Sequence, residues 1–161
     1  HTRRRRQRQM CIRDRACDIT IAAKSAFFVA TFGPNLGIVP DMGTTWSLPR
    51  RIGRARALGM SLTGERISAS QAETWGMIWR AVDDEALDSA TQALTDMLKN
   101  ASPDASVRIR DTLDVAVENT FERQLALEME HQAVLIPKNM REGAKAFLEK
   151  RKPTFSRARK A

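Results

Sequence analysis

One acidic residue, Asp41, lies in a turn that could hold a carboxylate beside a pocket. The turn runs from Gly37 to Arg50 with the sequence GIVPDMGTTWSLPR, so that proline and glycine frame the acid. An apolar extended run is predicted before Asp41 and an amphipathic helix after it. Turns of this composition often carry functional side chains, and a carboxylate in such a position can move a proton. A side chain that only stabilises the turn is the other interpretation, and spacing alone leaves both open.

The elements that must position Asp41 are a few short strands followed by many helices. Runs of β-branched and aromatic residues predict strands at 19–23 and 26–30 and an extended segment at 77–82. Capping residues, prolines and glycines predict the helix starts. These are Thr44 or Thr45, Arg54, Ser68, Asp83 or Asp84, Ser102, Asn119 and Asn139. Gly53 should stop the first helix, and Pro49 predicts a kink or a break inside it. This order is typical of an α+β domain or of part of a larger α/β domain.

Length and composition restrict the class of protein. A chain of 161 residues with 42% apolar residues is one globular domain or part of one. No apolar run approaches the roughly 18 residues that a membrane helix needs, so no membrane partner is expected. Cys11 and Cys17 suggest neither a disulfide framework nor a zinc site, and two histidines cannot build the usual metal sites. A reduced, cytoplasmic setting without a metal or redox cofactor is therefore expected.

The net charge of +8 is concentrated in the first 15 residues. This leader holds seven arginines and one acid, so that residues 16–161 carry 20 of the 27 basic and 18 of the 19 acidic residues. The leader lacks periodicity, and we interpret residues 1–15 as a non-native or disordered arm. A nucleic-acid-binding arm is the less favoured alternative. No nucleic-acid partner is therefore expected.

Four segments together resemble the crotonase (enoyl-CoA hydratase/isomerase) superfamily. They lie at residues 16–23, 37–50, 62–78 and 141–155, in the order and at the spacing of that family. The phrase from Trp75 to Trp79, followed by three acids, is similar to the branch of ring-1,2-epoxyphenylacetyl-CoA isomerases. The resemblance covers nearly everything after the leader. It concerns the C-terminal half of the family's domain.

The resemblance implies an α/β fold whose core is a spiral of ββα repeats. Residues 16–101 would form the C-terminal part of that core, 102–155 a helical subdomain and 156–161 a basic tail. Through the subdomain the complete protein would assemble as a homotrimer or hexamer. An acyl-CoA substrate is implied, with coenzyme A arriving as part of it. The first of the two backbone N–H donors that would bind the thioester carbonyl belongs to the family's first half. The second would come from a glycine-rich turn near Gln9, where this chain has no glycine, so we expect this chain alone to be inactive.

The resemblance also implies roles for individual residues. Asp41 lies where this branch keeps an acid that shuttles a proton along the acyl chain. Gly43 and Trp46 are candidates to bind the substrate, His131 to stack on the adenine of the coenzyme, and Lys150 to reach its phosphates. Core packing is an equal alternative for Trp46, and exposure to solvent is the favoured alternative for His131 and Lys150. Three further side chains are predicted to be buried: Cys17, Trp75 and Trp79.

The expected activity is isomerisation of an acyl-CoA thioester, either a ring-1,2-epoxyphenylacetyl-CoA or a Δ3-enoyl-CoA converted to its Δ2 isomer. Hydratases of the family use two glutamates, whereas residues 30–35 contain no acid, which makes water addition less favoured. Where the family often has two glycines, this chain has Gly43 and Thr44, which we expect to tighten the helix start. Three alternatives stay open: a hydratase of the same fold, a dehalogenase in which the carboxylate is a nucleophile, and a non-catalytic assembly module.

Overall fold

Short strands and helices make up the first part of the described chain, and helices follow to its end. The structure is a computed structural model, and it describes residues 17–156. Two compact units divide the chain, one ending at Gln92 and the other beginning at Ala93. The order of elements confirms the expected pattern of a few strands followed by many helices.

Four short strands pair within the described residues of the first unit. Strand β1 (Ile21–Ala23) is parallel to β4 (Arg80–Val82), and β2 (Phe27–Phe28) is antiparallel to β3 (Ile67–Ser68). Both N-terminal strands lie inside their predicted ranges but are shorter than predicted. A turn at Lys24 and Ser25 ends β1, because the Ala26 amide donates to the carbonyl of Ala23 at 2.9 Å.

Three α-helices of the first unit begin at or next to their predicted starts: α1 (Thr44–Ile52), α2 (Arg54–Thr63) and α3 (Ala69–Thr74). Gly53 ends α1 as predicted. Ser68 caps α3, since its side chain accepts a hydrogen bond from the Gln71 amide at 3.2 Å. Pro49 lies inside α1 without ending it, so the alternative of a helix break is wrong.

The core of the first unit explains why α1 continues past its proline. Thr44, Leu48 and Ile52 are buried at four-residue spacing along α1, which places them on one face of the helix. Burying an aliphatic or aromatic side chain stabilises by about 1.5–3 kcal/mol, and several such contributions outweigh one missing hydrogen bond. Leu48 and Ile52 pack in one cluster with buried residues from the other elements: Ala22, Ala26, Phe28, Ala57, Met60, Ile67, Ala69, Ala72, Met77 and Ile78.

The remaining segment of the first unit is only partly extended. Of the run predicted to be extended at 77–82, residues 77–79 bend and only β4 is a strand. Gly76 has a φ of 74°, its amide donates to Glu73, and the amide of Met77 reaches back to Ala72 at 2.9 Å. These two bonds close the end of α3 in a Schellman turn. Because Met77 takes part in this turn, the extended segment cannot begin there.

The second unit, and the segment that leads into it from β4, are helical. A 3₁₀ turn (Asp84–Ala86) leads into α4, and two wider turns of π-helix stand at Phe32–Leu36 and Ile136–Met140. The α-helices are α4 (Leu87–Asn100), which crosses the division between the units, α5 (Pro103–Val115), α6 (Phe121–Leu135) and α7 (Arg141–Leu148). Ser102 caps α5 as predicted, because its side chain accepts from the Ala105 amide at 3.3 Å.

Two predicted caps of the second unit are wrong. Thr120, and not Asn119, caps α6, and its hydroxyl accepts from the Arg123 amide at 3.3 Å. The Asn119 amide group instead donates to the side chain of Gln124 at 2.9 Å. Asn139 lies in the second π-helical turn and donates to the Ser102 hydroxyl at 3.0 Å. Both asparagines therefore bind partners elsewhere in the second unit.

Some expectations fall outside the described residues or stay predictions. The leader at 1–15 and all of the tail beyond Ser156 lie outside the described residues, and a boundary near residue 101 stays a prediction. Between Cys17 and Ser156, no helix combines the length and apolar character required to cross a membrane. In the same range, no cluster of three or more His, Cys, Asp or Glu side chains is arranged to hold a metal ion.

Candidate functional site

Asp41 lies in a tight turn that leads directly into α1. Its carbonyl oxygen accepts two hydrogen bonds from Thr44, one from the amide at 2.9 Å and one from the hydroxyl at 2.6 Å. Between them Met42 and Gly43 both have positive φ, 50° and 74°. A left-handed methionine costs about 1–2 kcal/mol, so the turn is held against a local conformational penalty.

The Asp41 carboxylate is free to meet an external partner. Asp41 is exposed, and within residues 17–156 its side chain has no hydrogen bond or ion pair. No side chain caps the N-terminus of α1, since Gly43 occupies the cap position. The predicted cap at Thr44 or Thr45 is therefore wrong, and the carboxylate does not brace the turn through a bond to α1. Its catalytic role stays a prediction.

Apolar side chains surround Asp41 along the chain. Val39, Met42 and Trp46 are 74%, 73% and 57% exposed. Trp46 is thus not a core residue, and the core-packing alternative for it is wrong. The guanidinium of Arg50 stacks on its ring at 4.0 Å from the centroid, which restricts the ring's rotamers. Substrate binding by Trp46 and Gly43 stays a prediction.

His131 links two helices of the second unit. Its Nδ1 lies 2.7 Å from the hydroxyl of Thr112, so α6 is joined to α5. The same hydroxyl lies 2.6 Å from the carbonyl of Arg108 and donates to it. We infer that Nδ1 carries the proton and donates to Thr112, because the hydroxyl has one hydrogen to give. His131 is half-buried, so the solvent-exposed alternative is wrong, and adenine stacking stays a prediction.

Lys150 occupies an unusual backbone position at the end of α7. Its φ is 52°, a conformation that glycine usually supplies at this point of a helix. The Lys150 amide donates to Phe147 at 3.2 Å and the Arg151 amide to Ala146 at 3.0 Å. This is again a Schellman turn, here with a lysine at its left-handed position. Lys150 is exposed, as the favoured alternative had it, and phosphate binding stays a prediction.

An ion pair fixes the segment that follows Lys150. Both carboxylate oxygens of Glu142 accept from the Arg151 guanidinium, at 2.7 and 3.1 Å, and one of them also accepts from the Thr154 amide at 2.7 Å. Hydrogen bonds from Arg151 and then from Thr154 lower the pKa of the Glu142 carboxyl to about 2. This pair could not be predicted from the sequence, because residues nine positions apart across a helix end follow no helical spacing.

Replacing Glu142 by glutamine should lower the melting temperature near neutral pH but not in strong acid. The folded carboxyl has the lower pKa, so its stabilisation is present above its ordinary value of 4.5 and is lost as the pH falls toward 2. Thermal unfolding of the parent and the Glu142→Gln variant, followed from about pH 2 to pH 7, measures the difference between their melting temperatures. Glu128→Gln, at an exposed position of α6, is the control. A difference in melting temperature that is constant with pH would contradict this prediction.

The structure places the candidate residues in two groups. Asp41, Gly43 and Trp46 share one turn of the first unit, whereas His131 and Lys150 belong to the second unit. Three residues that hold these groups were missed from the sequence: Thr44, Thr112 and Glu142. A hydroxyl or a carboxylate that binds a backbone or a ring elsewhere leaves no periodic signal.

Comparison with curated proteins identifies the family. The family model described as enoyl-CoA hydratase/isomerase matches residues 13–158. The 1,2-epoxyphenylacetyl-CoA isomerase of Escherichia coli is 46% identical over 140 residues, which cover 86% of this chain and 53% of that protein. A probable enoyl-CoA hydratase of Rhodobacter capsulatus is 40% identical over 142 residues, covering 88% and 55%. The chain thus spans about half the length of the curated relatives it matches.

Solved structures confirm the α/β crotonase fold. A crystal structure of an enoyl-CoA hydratase from Polaromonas has a TM-score of 0.81 at 34% identity, over 88% of this chain and 55% of that one. A putative enoyl-CoA hydratase/isomerase from Mycobacterium abscessus has a TM-score of 0.82 at 29% identity, with the same two shares. Sequence and fold agree, and the chain belongs to the enoyl-CoA hydratase/isomerase family.

Proposed function

We propose that this chain supplies the acid/base group of an acyl-CoA thioester isomerase, and that Asp41 is that group. One observation carries the proposal. The Asp41 carboxylate is exposed and has no hydrogen-bond or ion-pair partner among residues 17–156, yet its backbone is fixed by two hydrogen bonds. A carboxylate that a fixed backbone presents without a partner of its own is suited to meet a substrate.

The proposed reaction moves one proton. The Asp41 carboxylate takes a proton from a carbon near the thioester, which leaves an enolate, and the resulting carboxylic acid returns the proton to another carbon. With a Δ3-enoyl-CoA this transfer alone shifts the double bond. With a ring-1,2-epoxide the carbon–carbon bond shared by the epoxide and the six-membered ring also breaks, which enlarges the ring to a seven-membered oxepin. In both cases no electrons leave the substrate, so neither a metal nor a redox cofactor is needed. The enolate oxygen requires backbone N–H donors, each of which contributes on the order of 10²–10³ in rate. We propose that these donors come from sequence outside this chain.

The substrate we propose is a ring-1,2-epoxyphenylacetyl-CoA, with a Δ3-enoyl-CoA as the second choice. The 46% identity to an isomerase named for the former supports this order. The apolar side chains beside Asp41, among them Trp46, suit an acyl group that carries a ring. Coenzyme A enters as part of the substrate, and a cytoplasmic setting belongs to the proposal.

We also propose that the complete protein assembles as a homotrimer or hexamer through the second unit. Large apolar side chains on α5, on α6 and in the turn between them are exposed to solvent, and burying them is favourable. Those that support this proposal are Ile109, Leu113, Val117, Phe121, Leu125 and Met129.

A chimera tests the proposed activity. Residues 17–156 of this chain replace the aligned segment of the Escherichia coli isomerase, and turnover of 1,2-epoxyphenylacetyl-CoA is measured. We expect kcat within about 100-fold of the parent, the loss that small misplacements at a graft produce. The remainder of the parent expressed without this chain is the control and should be inactive. A folded chimera that binds coenzyme A without turning the substrate over would contradict the proposal.

A further inference from the structure

We infer that Thr44 is the positioning residue for Asp41: its buried hydroxyl holds the Asp41 peptide so that the carboxylate keeps the orientation proton transfer requires. This inference rests on the proposed function of Asp41. It concerns a residue that does not itself touch the substrate.

The first step concerns what fixes the carboxylate. Since the Asp41 side chain has no hydrogen bond or ion pair within residues 17–156, no such interaction sets its direction there. Its orientation therefore follows from the backbone of the turn and from the χ1 preference that this backbone allows. Any group that holds the Asp41 peptide controls where the carboxylate lies.

The second step concerns the anchor. Thr44 donates to the Asp41 carbonyl through both its amide and its hydroxyl, and the hydroxyl bond of 2.6 Å is the shorter one. Thr44 is 1% exposed and is one of the two largest fully buried side chains among the described residues. It shares one face of α1 with Leu48 and Ile52, which belong to the core. The hydroxyl thus connects the turn to the face of α1 that packs in the core of the first unit.

The third step concerns the direction of the Thr44 hydroxyl. Two other helical threonines use their hydroxyl within their own helix: Thr63 donates to Gly59 at 2.8 Å and Thr74 donates to Ser70 at 2.9 Å. Thr44 instead donates to a carbonyl that precedes α1, and it does not cap the helix. Its hydroxyl therefore serves the turn that carries Asp41.

The fourth step concerns the strain in the turn. Met42 and Gly43 both have positive φ, and a non-glycine residue keeps this conformation only when surrounding contacts impose it. The two bonds from Thr44 span these residues and close the turn. Without the hydroxyl, only the bond from the Thr44 amide holds the turn against a return of Met42 to negative φ. We expect the Asp41 peptide then to rotate more freely.

Thr44→Val in the active chimera tests the inference, because valine keeps the shape and removes only the hydroxyl. We expect kcat to fall by about tenfold with KM nearly unchanged, since a displacement below 1 Å affects the transition state more than binding. Thr44→Ser, which keeps a hydroxyl, should restore most of kcat. Thr74→Val removes a similar bond in α3 and is the matched control, with no expected change.

Two results would overturn the inference: a kcat for Thr44→Val within about twofold of the parent chimera, or no recovery in Thr44→Ser. If the valine variant does not fold, serine and alanine at position 44 give the same comparison, because they differ by one oxygen atom. The proposed function fails separately, if Asp41→Asn leaves kcat unchanged. A loss in Asp41→Asn without a loss in the Thr44 variants overturns the positioning role alone.

Discussion

Asp41→Asn should lower kcat of the active chimera by about 10²–10⁴-fold, the contribution that a positioned general acid–base group makes. Asparagine keeps the size and shape of the side chain but cannot accept and return a proton. Because the change acts on the chemical step, KM for the CoA thioester should change little. Steady-state kinetics on the purified chimera measures both constants.

Asp88→Asn is the control for this prediction, because Asp88 is an exposed acid in the first turn of α4. It should leave both constants unchanged. An Asp41→Asn chimera with the kcat of its parent would show that the carboxylate has no part in the reaction.

Isotope labels separate the three chemistries that the family offers to a single carboxylate. A proton shuttle predicts that part of a deuterium label on the substrate is retained in the product, since the carboxylic acid returns the atom it took. A hydratase would incorporate oxygen from labelled water into the product. A dehalogenase would form an ester on Asp41, which mass spectrometry after an acid quench would detect.

Local signals predicted the helix ends of the first unit well. Gly53 ends α1 and Ser68 caps α3 because each acts through bonds to residues within four positions. Such bonds join residues that are close in sequence, so a local sequence pattern is enough to predict them. Pro49 shows the limit of this reasoning, because the buried face of α1 keeps the helix continuous around it.

Burial was predicted less well, since it depends on partners far away in the chain. Trp79 is 62% exposed and Cys17 is also exposed, although both were predicted to be buried. Trp75 is half-buried against the core, and the guanidinium of Arg56 lies 5.2 Å from its ring centroid. Hydrophobic type alone did not separate these cases, because the neighbours of each side chain are set by the packing of separate elements.

The residues of the candidate site also differ in how well the sequence predicts them, according to whether local or distant contacts decide their place. Asp41 could be proposed from turn chemistry and resemblance, because both depend on contiguous residues. The role of Thr44 could not, because a threonine before a helix predicts a cap, and only the geometry shows its hydroxyl donating backward. The Glu142 and Arg151 pair depends on the way the chain folds back after α7, which no spacing rule describes.

Phe28→Ala should destabilise the chain by about 3–5 kcal/mol, the range for truncating a fully buried phenylalanine. Phe28 is 0% exposed and shares one core cluster with Leu48 and Ile52 of α1. Truncation removes the apolar contacts and leaves a cavity that a two-residue strand paired to β3 can close only in part. Urea unfolding should show a lower midpoint with an unchanged slope.

Phe27→Ala is the matched control, because Phe27 is the adjacent residue and points to the opposite face of the strand. Phe27 is only half-buried, and the guanidinium of Arg66 lies 4.5 Å from its ring centroid, so its truncation should cost about 1–2 kcal/mol. Equal losses for the two variants would contradict the prediction. Because the core that Phe28 fills also holds the face of α1 that carries Thr44, a destabilised Phe28→Ala chimera should lose turnover at temperatures well below those that inactivate its Phe27→Ala counterpart.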